Sequence, residues 1–75
     1  MTGIEEKRII ARGLKPPGPL LLVKKQLEEL RGGRFRVIVS SDEAADELVD
    51  YFMGMDAGVE IDHAGDDIHI VVDLT

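Results

Sequence analysis

The spacing of apolar residues changes along this chain and separates two helices from four strands. In the first helix the apolar residues recur three or four positions apart, at Leu20, Val23, Leu27 and Leu30. Gly32 and Gly33 are expected to end this helix, because glycine is common at helix C-termini.

The second helix is introduced by Ser40, which Glu43 follows three residues later in the pattern of a capping box. We expect this helix to run to about Met55. Its buried side is formed by Ala45, Leu48, Phe52 and Met55.

Strands are predicted over residues 9–11, 34–40, 59–63 and 68–74, the last three from alternating apolar and polar residues, with a turn over residues 64–67. Such alternation is typical of a sheet covered on one face. Right-handed β-α-β crossovers then place both helices on that face. We therefore predict one domain over residues 1–75, an α/β (α+β) two-layer sandwich. Its element order is β-α-β-α-β-β, and a four-stranded mixed sheet carries two helices on one face.

Composition fits a small globular domain and excludes a membrane span. Of the 75 residues, 44% are hydrophobic, and the longest apolar run is Leu20 to Val23. That run is far shorter than the roughly 20 residues needed to cross a bilayer. The charged N-terminal segment lacks the apolar centre of a secretory signal. We expect a cytoplasmic protein without a membrane partner.

Charge is distributed unevenly along the chain. All nine Lys and Arg residues lie between Lys7 and Arg36, whereas residues 41–75 contain eleven acids and no base. This asymmetry can orient an incoming protein partner, although a solvated dipolar surface has the same pattern. The acidic half repels phosphates, so nucleic acid is not an expected partner.

The most distinctive segment is Ala11–Lys25, which reads Ala-Arg-Gly-Leu-Lys-Pro-Pro-Gly-Pro-Leu-Leu-Leu-Val-Lys-Lys. It resembles the signature of the TusA (SirA-like) sulfur-carrier family, in which a Gly-Leu turn follows a short strand and Cys-Pro-x-Pro opens the first helix. Gly13 and Leu14 match the turn, and Pro17 and Pro19 match the two prolines. The resemblance implies strand order 1-2-4-3 with the last strand antiparallel.

Pro16 stands where the family has its cysteine, and the chain contains no cysteine. The resemblance implies that this cysteine carries a persulfide, which the free N–H groups and the dipole of the helix stabilise. Proline removes the nucleophile and one N–H group, so that only Gly18 keeps an N–H over residues 16–19. Ile10 replaces an aspartate usual in the family. We therefore predict no catalytic residue, no cofactor and a poor anion site.

The same region is the predicted partner-binding surface. Its residues are Arg12, Gly13, Leu14, Lys15, Pro16, Pro17, Pro19 and Lys24. A rigid turn without a partner would have the same residues. Our hypothesis is a non-catalytic protein-binding or regulatory module whose partner is a protein of sulfur metabolism or redox-protein maturation. The alternatives are an accessory role in sulfur transfer with a cysteine supplied by the partner, and a structural subunit unrelated to sulfur.

The last hairpin groups five residues of metal-binding types, Asp62, His63, Asp66, Asp67 and His69. Histidine and carboxylate ligands suit zinc or nickel. Strand alternation, however, turns His63 with Ile68 towards the core and His69 with Asp62 towards the other face. We therefore predict a solvated hairpin with one half-buried histidine and no metal site.

Two apolar residues, Ile38 and Val71, are predicted on the open face of the sheet in adjacent central strands. Scattered apolar residues on a surface are normal, and a small docking patch is the alternative.

Overall fold

A computed structural model describes residues 7–29 and 33–74 of the chain. The elements are β1 (Lys7–Ile10), α1 (Gly18–Leu27), β2 (Gly33–Val39), α2 (Asp42–Met53), β3 (Gly58–Ala64) and β4 (Asp67–Leu74). The strands form one sheet in the order β1-β2-β4-β3. β1 is parallel to β2, and β4 is antiparallel to both of its neighbours. The predicted mixed sheet and its strand order are confirmed.

The core lies between one face of the sheet and the two helices. Its largest fully buried side chains are Val23, Phe35, Val37, Val39, Leu48, Phe52, Ile70 and Val72, with Pro19 from the start of α1. Phe35 of β2 and Phe52 of α2 meet edge to face, with ring centroids 5.5 Å apart. Full burial of such an apolar side chain stabilises the fold by roughly 1.5–3 kcal/mol. The two-layer sandwich predicted from the sequence is confirmed.

Helix α1 is shorter than predicted, because it ends at Leu27 rather than at the glycine pair. Gly33 instead opens β2, where it pairs with Leu74 at the end of β4. Gly33 therefore belongs to the sheet and not, as predicted, to the end of the helix. The predicted positions Leu30 and Gly32 lie outside the described residues.

The predicted cap of α2 is wrong by one residue. Ser41 caps the helix: its backbone is extended, and its Oγ accepts a hydrogen bond from the N–H of Ala44 at 3.2 Å. The helix ends at Met53 rather than near Met55, which is 45% exposed instead of buried. The chain leaves the helix at Gly54, so the next residues no longer follow the buried stripe.

Ile38 and Val71 do lie on the open face of the sheet, but they are not surface residues. Their exposed fractions are 3% and 7%, respectively. Arg36 pairs with Val71 and His69 pairs with Ile38 across the same strands. A hydrogen bond of 2.9 Å joins Nη1 of Arg36 to Nδ1 of His69, and these two long side chains cover their aliphatic neighbours. The alternative of an apolar docking patch at these two residues is therefore wrong.

The edge strand β3 is less covered than the sequence pattern predicts. Val59 packs partly against the core, whereas Ile61 is 50% exposed and His63 is exposed. These residues alternate as predicted, but β3 is the outermost strand, and its helix-facing side is only partly covered. The alternation identifies a face of the sheet without showing how far the helices extend over it.

Over the two described stretches, neither helix has the length and the apolar content to span a lipid bilayer.

Replacing Leu48 with Ala should lower the free energy of unfolding by about 2–5 kcal/mol, because the change leaves a cavity at a side chain fully buried against the sheet. Met53→Ala is the matched control on the same helix. Met53 is 63% exposed, so the control should change stability by no more than about 0.5 kcal/mol. Urea unfolding of both variants measures the difference, and equal losses would contradict the assigned core.

Candidate functional site

The connection from β1 to α1 stays attached to the end of β2. The N–H of Ala11 donates to the carbonyl of Ile38 at 2.8 Å, continuing the β1–β2 ladder by one residue. The N–H of Gly13 then donates to Oγ of Ser40 at 2.9 Å. Gly13 has a φ of +77°, a conformation that favours glycine. The Gly-Leu turn is therefore fixed at the edge of the sheet where β1 and β2 end.

The start of α1 has few N–H groups to offer an anion. Pro17 is the N-cap residue and makes no side-chain cap, and Pro19 in the first turn has no N–H. The N–H of Gly18, the one donor that the sequence leaves over residues 16–19, donates to the carbonyl of Lys15 at 2.7 Å. The N–H of Leu21 donates to the carbonyl of Pro17 at 3.0 Å. The usual anion-binding role of a helix N-terminus is weakened here.

The predicted surface residues separate into accessible and buried positions. Leu14 is exposed, but it lies against the start of the helix. A Cβ added at Gly18 would be 3.4 Å from the Cβ of Leu14. Pro16 is half-buried and Pro17 is exposed. Pro19, by contrast, lies in the first turn of α1 and is fully buried, so its side chain is not accessible to a partner. Leu21, which is 59% exposed, extends the accessible surface along the helix.

Two of the three predicted basic residues are held by contacts within the domain. Nε of Arg12 donates to Oδ2 of Asp67 at 2.8 Å and ties the turn to the start of β4. Nζ of Lys24 lies 5.2 Å from the centre of the Tyr51 ring on α2, a cation–π contact. Lys15 is exposed. We use the name motif surface for the exposed set Arg12, Gly13, Leu14, Lys15, Pro17, Leu21 and Lys24 together with half-buried Pro16.

Three residues that support this surface, Ser40, Asp67 and Tyr51, are not among the predicted site residues. The sequence pattern predicts Ser40 as a helix cap and Asp67 as part of a turn. Strand register carries the missing information, because continuing the β1–β2 pairs by two positions and the β2–β4 pairs by one brings residues 12, 40 and 67 into one row across the sheet. Tyr51 could be found only from the packing of α1 beside α2.

The last hairpin does not gather its histidines. His63 pairs with Ile68 and Asp62 pairs with His69, as predicted, so the histidines face opposite sides of the sheet. His69 is the half-buried one, and its Nδ1 accepts from Arg36. The turn is shorter than predicted, since residues 64 and 67 already pair. Within residues 7–29 and 33–74, no three His, Cys, Asp or Glu side chains are arranged to hold a metal ion.

Fold and site together define a class of small two-layer α/β sandwiches in which a glycine turn and a proline-rich helix start lie at one end of the sheet. A family model described as sulfurtransferase TusA matches residues 7–73, and the chain belongs to this family. The chain is also similar to a SirA-like protein from Desulfitobacterium hafniense, known from a crystal structure, with 29% sequence identity and a TM-score of 0.79. That similarity covers 88% of this chain and 93% of the other. A search among curated proteins finds no match.

The adjacent serines should have separable roles. Ser40→Ala removes the acceptor for the N–H of Gly13, so hydrogen exchange at that amide should accelerate while exchange at Ala44 is unchanged. Ser41→Ala should have the converse effect and lower the free energy of unfolding by about 0.5–2 kcal/mol through loss of the cap. Exchange measured amide by amide tests both roles. Acceleration at Ala44 in the Ser40 variant would contradict the assignment.

Proposed function

We propose that this TusA-family domain carries no sulfur itself and serves as a protein-binding or regulatory module for a protein of sulfur metabolism or redox-protein maturation, acting in the cytoplasm. One observation carries the proposal. The turn and helix start that carry the family's signature are held in place by Ala11, Gly13 and Ser40, while position 16 is proline and the chain lacks cysteine. The scaffold is retained, and the group that would bind sulfur is missing.

The helix start supports this separation of scaffold from chemistry. A persulfide is anionic and needs donors or positive charge close to it. Here the N–H of Gly18 is already bonded to Lys15, and Pro19 has none to give. The chain therefore lacks a thiol to carry the sulfur, and the N–H groups of Gly18 and Leu21 at the helix start are already bonded within the domain.

The motif surface has the properties of a docking surface. Leu14 and Leu21 expose apolar area, and Lys15 and Lys24 add positive charge beside it. The contact of Lys24 with Tyr51 restricts this side chain before any partner binds, which lowers the entropy lost on association. A partner with an apolar patch rimmed by acids fits this surface. A regulatory role follows if that partner also serves a family member that carries sulfur.

The first test is competition. Adding this protein to a reaction in which a cysteine desulfurase transfers sulfur to a cysteine-bearing TusA protein should inhibit transfer, because both proteins would occupy one docking site. Lys15→Glu/Lys24→Glu should weaken the inhibition at least about tenfold, since two attractions become repulsions. Transfer rates at increasing concentrations of each variant measure the effect.

The matched control is Lys7→Glu/Arg8→Glu. It changes net charge by the same amount at the beginning of β1, away from the motif surface. Inhibition should persist in the control. Equal loss in both double variants would show a long-range charge effect and contradict docking at the motif surface.

The second test restores the chemistry. Incubated with a cysteine desulfurase and its substrate, the native protein should gain no sulfur by mass spectrometry. Pro16→Cys should gain one sulfur atom, because the position is half-buried at the helix start and the substitution adds both a thiol and an N–H. Sulfur on the native chain would contradict the proposal. Sulfur transfer between two other proteins that occurs only when the native chain is present would favour the accessory role instead.

A further inference from the structure

We propose that the free edge of β3 binds an extended segment of a partner protein by strand addition, and that this segment alternates apolar residues with Lys or Arg. The surface lies on the opposite edge of the sheet from β1 and is independent of the motif surface. We refer to Gly58–Ala64 as the β3 edge.

Among residues 7–29 and 33–74, no strand pairs with the outer side of the β3 edge. All seven of its residues pair with β4, from Gly58 opposite Asp73 to Ala64 opposite Asp67, and β3 is last in the strand order. The pairing is continuous, so no bulge turns this edge away from solvent. Alternate N–H and C=O groups therefore point outwards over about 23 Å.

The protection usual for edge strands is present on the other side of the sheet. Two of the four described residues of β1 are the bases Lys7 and Arg8. Basic side chains discourage pairing with another strand. The β3 edge contains neither lysine nor proline. The β3 edge therefore lacks the lysine and proline that usually prevent an edge strand from pairing, and its side chains favour one kind of added strand.

The side chains of the β3 edge indicate which strand would fit. Glu60 and Asp62 are exposed on the open face, opposite Val71 and His69. On the helix side, Ile61 leaves half of its surface uncovered. No base follows Arg36 in the sequence, and the base that lines a pocket together with Glu60 is Arg34 of β2. An added strand would place bases beside the two acids and an apolar residue beside Ile61.

Charge also argues against a second copy of β3 as the occupant. An antiparallel pair of β3 edges centred on Ile61 would set Glu60 of each copy opposite Asp62 of the other. Like charges at directly opposed positions destabilise a strand pair. The occupant indicated by the charges is therefore a basic strand.

The probe is a synthetic peptide that alternates valine or isoleucine with lysine or arginine, titrated into the isotopically labelled protein. Binding should slow hydrogen exchange at alternate amides of the β3 edge. The same peptide N-methylated at every residue should lose this protection, because it can no longer donate a hydrogen bond to β3 from either edge. A peptide with glutamate in place of the bases should not bind.

The variant Glu60→Lys/Asp62→Lys should weaken peptide binding at least about tenfold. Asp46→Lys/Asp50→Lys, which makes the same charge change on the exposed side of α2, should bind within about twofold of the native protein. Circular dichroism checks that both variants fold. Equal weakening in the two variants, unchanged binding of the methylated peptide, or protection of the β3 edge by self-association in sedimentation experiments would each overturn the proposal. None of these results bears on the competition test with a desulfurase.

Discussion

The position of the motif depends on the parallel pairing of β1 with β2. That pairing continues beyond β1 through Ala11 and Ile38, and the hydroxyl of Ser40 then takes over as acceptor for the turn at Gly13. From this point the chain enters α1, and its path is restricted by the positive φ of Gly13 and by the following prolines. The helix start is therefore fixed by backbone pairing rather than by the side chain at position 16.

This arrangement separates the scaffold from the chemistry of the family. A scaffold held by the backbone and by Ser40 accommodates proline at position 16, and the proposed loss of sulfur carriage follows from the missing thiol. The fold also turns the uneven distribution of charge along the sequence into an uneven distribution of charge across the sheet. Strand order β1-β2-β4-β3 keeps the basic first half beside β1 and β2, and the acidic second half beside β4 and β3. The ion pair of Arg12 with Asp67 bridges the two halves at the end that carries the motif.

Much of the fold was predictable from the sequence, because the spacing of apolar residues and the positions of the prolines determine helices and strands locally. The errors arose where register or coverage decides the outcome. Ser40 and Glu43 have the spacing of a capping box, but at the end of β2 the hydroxyl of Ser40 accepts from Gly13 and Ser41 caps the helix. Alternation placed Ile38 on the open face, but not the Arg36 and His69 side chains that cover it. The exposure of Ile61 depends on how far the helices reach across the sheet. The local pattern of apolar and polar residues does not indicate how far the helices extend over the sheet.

The central claim is that the motif surface still recognises a protein that handles sulfur although the domain carries none. The most direct measurement maps the amide chemical shifts of the labelled domain while an unlabelled cysteine desulfurase is added. The account predicts that changes concentrate at Gly13, Leu14, Lys15 and Leu21, with no covalent modification of the chain. A complex whose changes avoid these residues, or the absence of any complex at concentrations where a cysteine-bearing TusA protein binds, would contradict it.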